Sequence, residues 1–435
     1  MNFFLLIVVT GLLFVRPTDF IRDLESAQLF LLSIIACLAA SIGVIPAQLA
    51  GDSLRRRPVT ACVLALLPVQ ILSCLANLQF DPIITGAFEF SKVVLLYLLL
   101  IGLVRSPGRL KTYLTAILYF LTIQTGLAVL QYYKIIDLPA FMPLGIDPAT
   151  GEQVWSDAPR LRGTGLFGDP NDISLLIDMG IILSLQAIAG SRGVVRKLFW
   201  MGPLAMFALA LRLTGSRGGL AGALGGLAVL LVSRFGLRKG LIAGALAIPL
   251  VVGFVGGRQT DFNVGDIENT GLKRIQLWSN ALELFKGSPF LGVGPSRSSS
   301  YLDDKDIHNS FIQAYSDLGF LGGTAFFSAF AHLLGRLYKL QHRPARNQDA
   351  TLTRMRPYVT ALLAAYAITA MTVNFTYIMS TYVVLGIGAC HVQLSDADRP
   401  PPGESLGGAL LLRWALSSLG FLVLMYGYIK LTVKY

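Results

Sequence analysis

Five short stretches of the chain gather residues that could hold an anion or move a proton. The first is Arg160-Leu-Arg162-Gly-Thr-Gly-Leu-Phe-Gly-Asp169-Pro170-Asn171-Asp172. Its second half reads as a helix start, with Asp169 as N-cap, Pro170 at the first helical position and Asp172 in the first turn. That local role leaves Arg160, Arg162 and the upstream glycines unexplained. They fit an anion-binding loop, in which guanidinium groups and backbone amides reach phosphate oxygens. The second stretch is Arg212-Leu-Thr214-Gly-Ser216-Arg217-Gly-Gly, a short turn between apolar segments. Snorkelling to an interface accounts for many arginines near helix ends. Arg217, however, stands at a helix N-terminus, where the dipole disfavours a cation and an anionic ligand would relieve the conflict. The glycines that follow, Gly218, Gly222 and Gly226, recur at every fourth position and read as a helix-packing stripe.

The third stretch, Lys273-Arg274-Ile-Gln-Leu-Trp278-Ser-Asn280-Ala-Leu-Glu-Leu-Phe285, is amphipathic and puts Arg274 and Trp278 on one helical face. An interfacial helix anchored by Trp and Arg would look the same. The fourth, Gly287-Ser-Pro289-Phe-Leu-Gly292-Val-Gly294, reads by itself as a turn-rich connector. The fifth, Asp303-Asp304-Lys305-Asp306-Ile-His308-Asn309-Ser310-Phe311, runs into an apolar segment. His308 alone would pass for a solvated side chain. At a helix start the dipole favours its neutral form, which a general base requires. Asp304 and Asp306 are spaced as a metal pair could be, but a solvated acidic loop explains them equally well, and no second outer histidine accompanies them.

The elements that must position these residues are membrane helices. Of 435 residues, 54% are hydrophobic and 14% charged, against about 25% charged in soluble domains; mean hydropathy is +0.63. A soluble protein of this composition could not cover its surface, so a secreted enzyme, a nucleic-acid binder and a disordered scaffold are excluded. Apolar segments run at 2–15, 27–45, 59–78, 88–104, 112–133, 172–190, 197–213, 217–232, 238–255, 309–335, 357–373, 376–393 and 407–428. The expected fold is all-α, a polytopic integral membrane bundle of about 12–13 helices forming a single domain over 1–435. The first segment lacks a basic n-region and a cleavage site and reads as a retained helix. Cys37, Cys62, Cys74 and Cys390 all sit in apolar segments without C-x-x-C spacing, so neither a disulfide framework nor a zinc site is expected.

The net charge of +11 needs no acidic ligand. Arginine and lysine concentrate in alternate loops, among them Arg55-Arg56-Arg57, Arg105 to Lys111, Arg192 to Lys197, Arg234 to Lys239 and Arg336 to Arg356. The positive-inside rule makes that side cytoplasmic. Loops 134–171 and 256–308 then face outward, and all five stretches share that face. The second of these loops holds the amphipathic segment, expected to lie on the membrane surface or over a cavity. Only the last apolar segment fits less well, because it leaves Lys430 and Lys434 outside.

In order and spacing, four pieces resemble the O-antigen ligase and O-antigen polymerase superfamily of bacterial membrane glycosyltransferases. They are RGTGLFGDPND at 162–172, TGSRGG at 214–219, KRIQLWSNALELFKGSPFLGVG at 273–294 and HNSFIQAYSDLGFLG at 308–322. The resemblance covers 160–325 by motif and implies a multi-pass bacterial inner-membrane enzyme, independent of metal and cofactor. Such enzymes take a glycan from a polyprenyl-diphosphate-linked oligosaccharide on the periplasmic side and pass it to a hydroxyl of a glycan or lipid-linked acceptor. Carried over by motif, Arg217 and Arg274 would hold the diphosphate and His308 would contact the reacting hydroxyl. Arg162, Arg160, Asn309 and Arg212 would add substrate contacts. Inversion at the anomeric carbon is also implied.

The chemistry suits these residue types. Negative charge grows on the departing diphosphate, where fixed guanidinium groups stabilise it, and His308 would accept the hydroxyl proton. Ligase and polymerase both remain open, with polymerase or exopolysaccharide use slightly favoured. A protein O-oligosaccharyltransferase would use a Ser or Thr acceptor. A polysaccharide transporter or flippase would place its charges near the bilayer midplane and show paired halves. Here such charges are few (Lys92, Asp178, Arg413), no repeat is visible, and the polar residues gather at one face. No nucleic acid is implied; membrane lipids are.

Overall fold

The computed structural model describes residues 1–146, 159–256, 264–342, 349–396 and 403–432. Sixteen α-helices occur among them: α1 (Asn2–Val15), α2 (Leu29–Ala39), α3 (Ile45–Leu49), α4 (Gly51–Arg56), α5 (Pro58–Ala76), α6 (Phe80–Leu103), α7 (Pro107–Tyr132) and α8 (Pro170–Gly190). They continue with α9 (Val194–Thr214), α10 (Arg217–Phe235), α11 (Leu237–Val255), α12 (Val264–Gly287), α13 (Ser310–Gln341), α14 (Ala350–Ala370), α15 (Met379–Ser395) and α16 (Gly408–Thr432). There is no strand among the described residues.

Each apolar segment expected to span coincides with a helix or, for 27–45, with a bent pair of helices. Among the described residues nine helices are long and apolar enough to cross a bilayer, or ten if Leu29–Ala39 and Ile42–Leu49 count as one span. The chain is therefore a polytopic all-α membrane protein. Three expected spans are not among these, 238–255 in α11, 357–373 in α14 and 376–393 in α15, and for the last two the reason is visible. Helix α15 has only 17 residues, and the first turns of α14 carry Arg354, Arg356 and Pro357. The segment 147–158 of the first outward loop and the proline-rich linker at 397–402 lie outside the described residues.

Local sequence sets the helix starts. Ser106, Asp169 and Ser216 are N-caps whose side chains accept from Arg109 N, Asn171 N and Gly219 N at 3.2, 2.7 and 3.1 Å, each meeting an amide that the helix itself cannot. Pro107 and Pro170 occupy first positions, where a missing N–H costs nothing.

The helices form two compact units, each assembled from three separate stretches of chain. The first comprises Met1–Ile42, Leu103–Asp261 and Tyr338–Thr369; the second comprises Gly43–Gly102, Phe262–Leu337 and Ala370–Tyr435. In the first unit α8 is the centre, packed against α7, α9 and α10. Its Asp178 is fully buried and accepts from Thr369 Oγ1 of α14 at 2.6 Å. The glycine stripe of α10 lets helices approach closely, as its spacing suggests: a Cβ on Gly222 would stand 1.8 Å from Thr369 Oγ1.

In the second unit the amphipathic segment is part of α12. Its Ile275, Ala281 and Leu282 are buried with Ile312 and Tyr315 of α13 and with Leu422, Met425 and Ile429 of α16. The apolar face that could have lain on lipid is covered by protein. Phe311, Phe326, Phe327, Phe330 and Phe421 extend this core with ring centroids 4.9–6.4 Å apart, within the range of favourable aromatic pairs.

Candidate functional site

The first two stretches meet in the first unit. Arg160 exchanges backbone hydrogen bonds with Leu144, and Leu161 N donates to Leu213 O at 2.9 Å, which lays the loop along the end of α9. Arg160 Nε donates to the Thr214 carbonyl at 2.7 Å, one of the last carbonyls of α9, which lack helical partners. Its Nη2 reaches Asn171 Oδ1 at 3.5 Å, and Ser216 Oγ donates to the same oxygen at 2.9 Å. The loop, the α8 start and the α9–α10 turn are thus tied into one polar cluster.

Asp169 caps α8 and also accepts from the Asn171 side chain at 2.8 Å. The cap read from the sequence is therefore present, and it orients Asn171 toward Ser216. Arg217 is the first residue of α10, half-buried behind the Ser216 cap. Arg212 lies exposed in the last turn of α9. Arg162 turns away from this cluster, with its Nε donating to the Met142 carbonyl at 2.6 Å.

The other stretches meet in the second unit, around the start of α13. His308 is half-buried and sits just before the helix with φ 51°, in the left-handed region. Such a conformation is uncommon outside glycine and, for other residues, is enriched in Asn, Asp and His. Asn309 is fully buried and is the N-cap: its Oδ1 accepts from Phe311 N and Ile312 N at 3.1 Å each. Its substrate-contact role was expected from the motif; the geometry gives its carbonyl oxygen a structural task. Its Nδ2 has no hydrogen-bond partner among the described residues.

Two neighbours hold this junction. Trp278 Nε1 of α12 donates to the Ile307 carbonyl at 2.9 Å, so the helix carrying Arg274 is fastened one residue before His308. Segment 371–378 wraps the first turn of α13. Ser310 Oγ donates to Val373 O (2.7 Å) and accepts from Phe375 N (2.8 Å), while Thr376 Oγ1 reaches Ser310 O at 2.7 Å.

The connector 287–294 has a role that its composition did not reveal. Helix α13 breaks at Gly319, with φ 64° and ψ −164°, and a break frees backbone groups that must find partners in a membrane. The connector supplies them: Phe320 N donates to Pro289 O at 2.7 Å, and Val293 N and Gly294 N donate to Ser316 O and Asp317 O at 3.0 Å. A Cβ on Gly319 would stand 2.3 Å from the Phe290 carbonyl carbon. Asp317, fully buried, then accepts from Ser296 N, Ser298 N and the Tyr377 hydroxyl at 2.9, 3.1 and 3.1 Å. Asp317→Ala would strand both amides and should cost about 2–4 kcal/mol, with Asp317→Asn less damaging because it keeps one acceptor. Thermal unfolding in detergent and hydrogen exchange of 292–298 measure this.

Sequence reasoning missed Asp317, Thr376 and Tyr377. The signal was present only as two glycine-rich pieces, GSPFLGVG and SDLGFLG, without a hint that they pair. In the acidic loop, Asp303 is exposed and paired with Lys305 at 3.3 Å. Among the described residues no three His, Cys, Asp or Glu side chains converge as a metal-binding group.

Residues 202–327 match a family model described as O-antigen ligase. The match runs from α9 into α13 and contains Arg212, Arg217, Arg274, His308 and Asn309; Arg160 and Arg162 precede it. It bears out the resemblance to the O-antigen ligase and polymerase superfamily. Comparison with curated proteins gives no match.

Proposed function

We propose that this chain, whose segment 202–327 is of O-antigen ligase type, is a bacterial inner-membrane glycosyltransferase. It transfers or polymerises a glycan from a polyprenyl-diphosphate-linked donor onto an acceptor hydroxyl at the periplasmic face. The observation that carries this reading is that the family match takes in Arg217, Arg274, His308 and Asn309 together. The acceptor oxygen bonds to the anomeric carbon as the bond from that carbon to the diphosphate oxygen breaks. His308 takes the hydroxyl proton, and the lipid diphosphate leaves with the bonding electrons. Arg217 and Arg274 stabilise that growing charge. Arg160 and Arg212 serve as further substrate contacts, Arg162 as a supporting one, and the Asn309 amide as a donor from the helix cap. No cofactor is required, since the donor already carries its leaving group.

The deciding experiment is incubation of the purified protein with a polyprenyl-diphosphate oligosaccharide and candidate acceptors, followed by structural analysis of the lipid and glycan products. Release of polyprenyl diphosphate with a new glycosidic bond is the expected result; translocation of donor without a covalent product would reverse the reading. EDTA should leave the rate unchanged, and activity lost to EDTA and restored by magnesium would move attention to Asp304 and Asp306.

Topology has its own check. The four native cysteines are buried, so a cysteine placed at position 152 should be labelled from outside intact spheroplasts by an impermeant maleimide. Labelling only after permeabilisation would reject the proposed orientation.

A further inference from the structure

The first unit contains a cavity of about 880 Å³, within the roughly 300–1,000 Å³ usual for small-ligand sites. It lies between the 162–168 loop and the segment that leaves α1. Helix α1 ends at Arg16 in the left-handed conformation, φ 50° and ψ 60°, a strained geometry for a residue with a Cβ. That turn brings the guanidinium of Arg16 onto Asp19, with Nε to Oδ2 at 2.6 Å and Nη2 to Oδ1 at 3.2 Å. The pair is seated on Gly165, whose own φ is +52° and where a Cβ would stand 2.3 Å from Arg16 Nε and 2.5 Å from Asp19 Oδ2. The third residue after Arg162 in the RGTG motif is thus glycine because an ion pair occupies the space a side chain would need.

Arg16, Asp19, Glu25 and Arg162 all line the cavity, with Thr18 and Thr164 between them. Two cations face two carboxylates, so the lining has no net charge. Arg16 is already neutralised by Asp19, and the Arg162 plane is fixed by its bond to the Met142 carbonyl. A diphosphate would have to sit beside two carboxylates here. A polyhydroxylated ligand suits the same carboxylates: each hydroxyl donates one hydrogen bond and accepts others, and this wall offers acceptors and donors side by side. Phe20 and Pro139 add an apolar surface to the same cavity. The Phe20 ring is held 5.6 Å from that of Phe141, which is fully buried.

We propose that this cavity is a saccharide-binding subsite, with the Asp19 and Glu25 carboxylates and the Arg162 guanidinium contacting sugar hydroxyls and Phe20 contacting the C–H face of the ring. It rests on the glycosyltransferase reading for the identity of the sugar, which is that of the lipid-linked donor or of the acceptor glycan. None of Arg16, Asp19, Glu25 and Phe20 lies in the matched segment 202–327.

The test is saturation-transfer NMR on the full-length protein in nanodiscs. The probe is the oligosaccharide mixture released by mild acid from the polyprenyl-linked pool of the cells of origin. Wild type should bind, and Asp19→Asn and Glu25→Gln should each raise the Kd at least tenfold. Glu25 is exposed, so its variant keeps the fold intact; Gly165→Ala should abolish binding by displacing the ion pair. Millimolar pyrophosphate should not compete. Absence of binding by wild type, unchanged binding by the Glu25 and Asp19 variants, or displacement by pyrophosphate would overturn the subsite. The two readings fail separately. Wild-type transfer with sugar binding indifferent to these variants removes the subsite alone. Variant-sensitive sugar binding without any transfer product removes the transferase reading and leaves the subsite.

Discussion

His308→Ala should lower glycosyl transfer by about 10²–10⁴-fold, the usual contribution of a positioned general base, while the protein still folds. The fold should survive because neighbours of His308 also hold the junction. Trp278 holds Ile307, Asn309 caps α13, and Ser310 is bound to segment 371–378. The left-handed backbone at 308 suits histidine better than alanine, so the alanine variant carries some added strain in the turn. His308→Asn is the sharper control. Asparagine tolerates this conformation well and keeps hydrogen-bonding capacity, but it cannot accept a proton at neutral pH. Transfer rates of both variants at matched protein levels, with unfolding temperatures alongside, check the assignment. Near-normal product formation by the alanine variant would leave His308 as a residue chosen for its turn.

The junction also shows which parts of this molecule could be read from its residues. The membrane helices were legible because an apolar run near 20 residues has few other uses. The start of α8 was legible because its cap is local, Asp169 acting two residues along the chain; α10 was read as starting at Arg217, and its Ser216 cap came only with the structure. The surroundings of α13 were not. The partner of the Gly319 break lies some thirty residues earlier in the chain, in a connector that looks like any other turn. The ion pair on Gly165 comes from the far end of α1. Long-range backbone pairing leaves no periodicity, so glycine in such places announces a close approach without naming what approaches. The apolar face of α12 was visible as a stripe, but a stripe alone does not distinguish lipid from α13 and α16 as its cover.

Arg217→Lys and Arg274→Lys should each reduce transfer by about 10²–10³-fold, corresponding to roughly 3–4 kcal/mol for a fixed donor lost at a developing anion. Lysine keeps the charge but loses the planar fork that meets two phosphate oxygens at once. The local settings explain why the charge alone should not suffice. Arg217 opens α10 immediately after its cap, with Gly215 in the left-handed conformation just before; its backbone is fixed, and the guanidinium can be aimed from a defined origin. Arg274 lies one turn before Trp278, whose indole fastens α12 to the residue preceding His308. In both places the main chain is held, so an ammonium on a flexible stem cannot recover the lost geometry by moving the helix. If both arginines serve the same diphosphate, the double lysine variant should be little slower than the slower single one, because groups acting as a unit are not additive. Anchoring at the membrane interface is the competing role, and it makes a different forecast. Lysine snorkels as arginine does, so both single variants would then transfer glycan at the wild-type rate, and that outcome would remove these two residues from the diphosphate site.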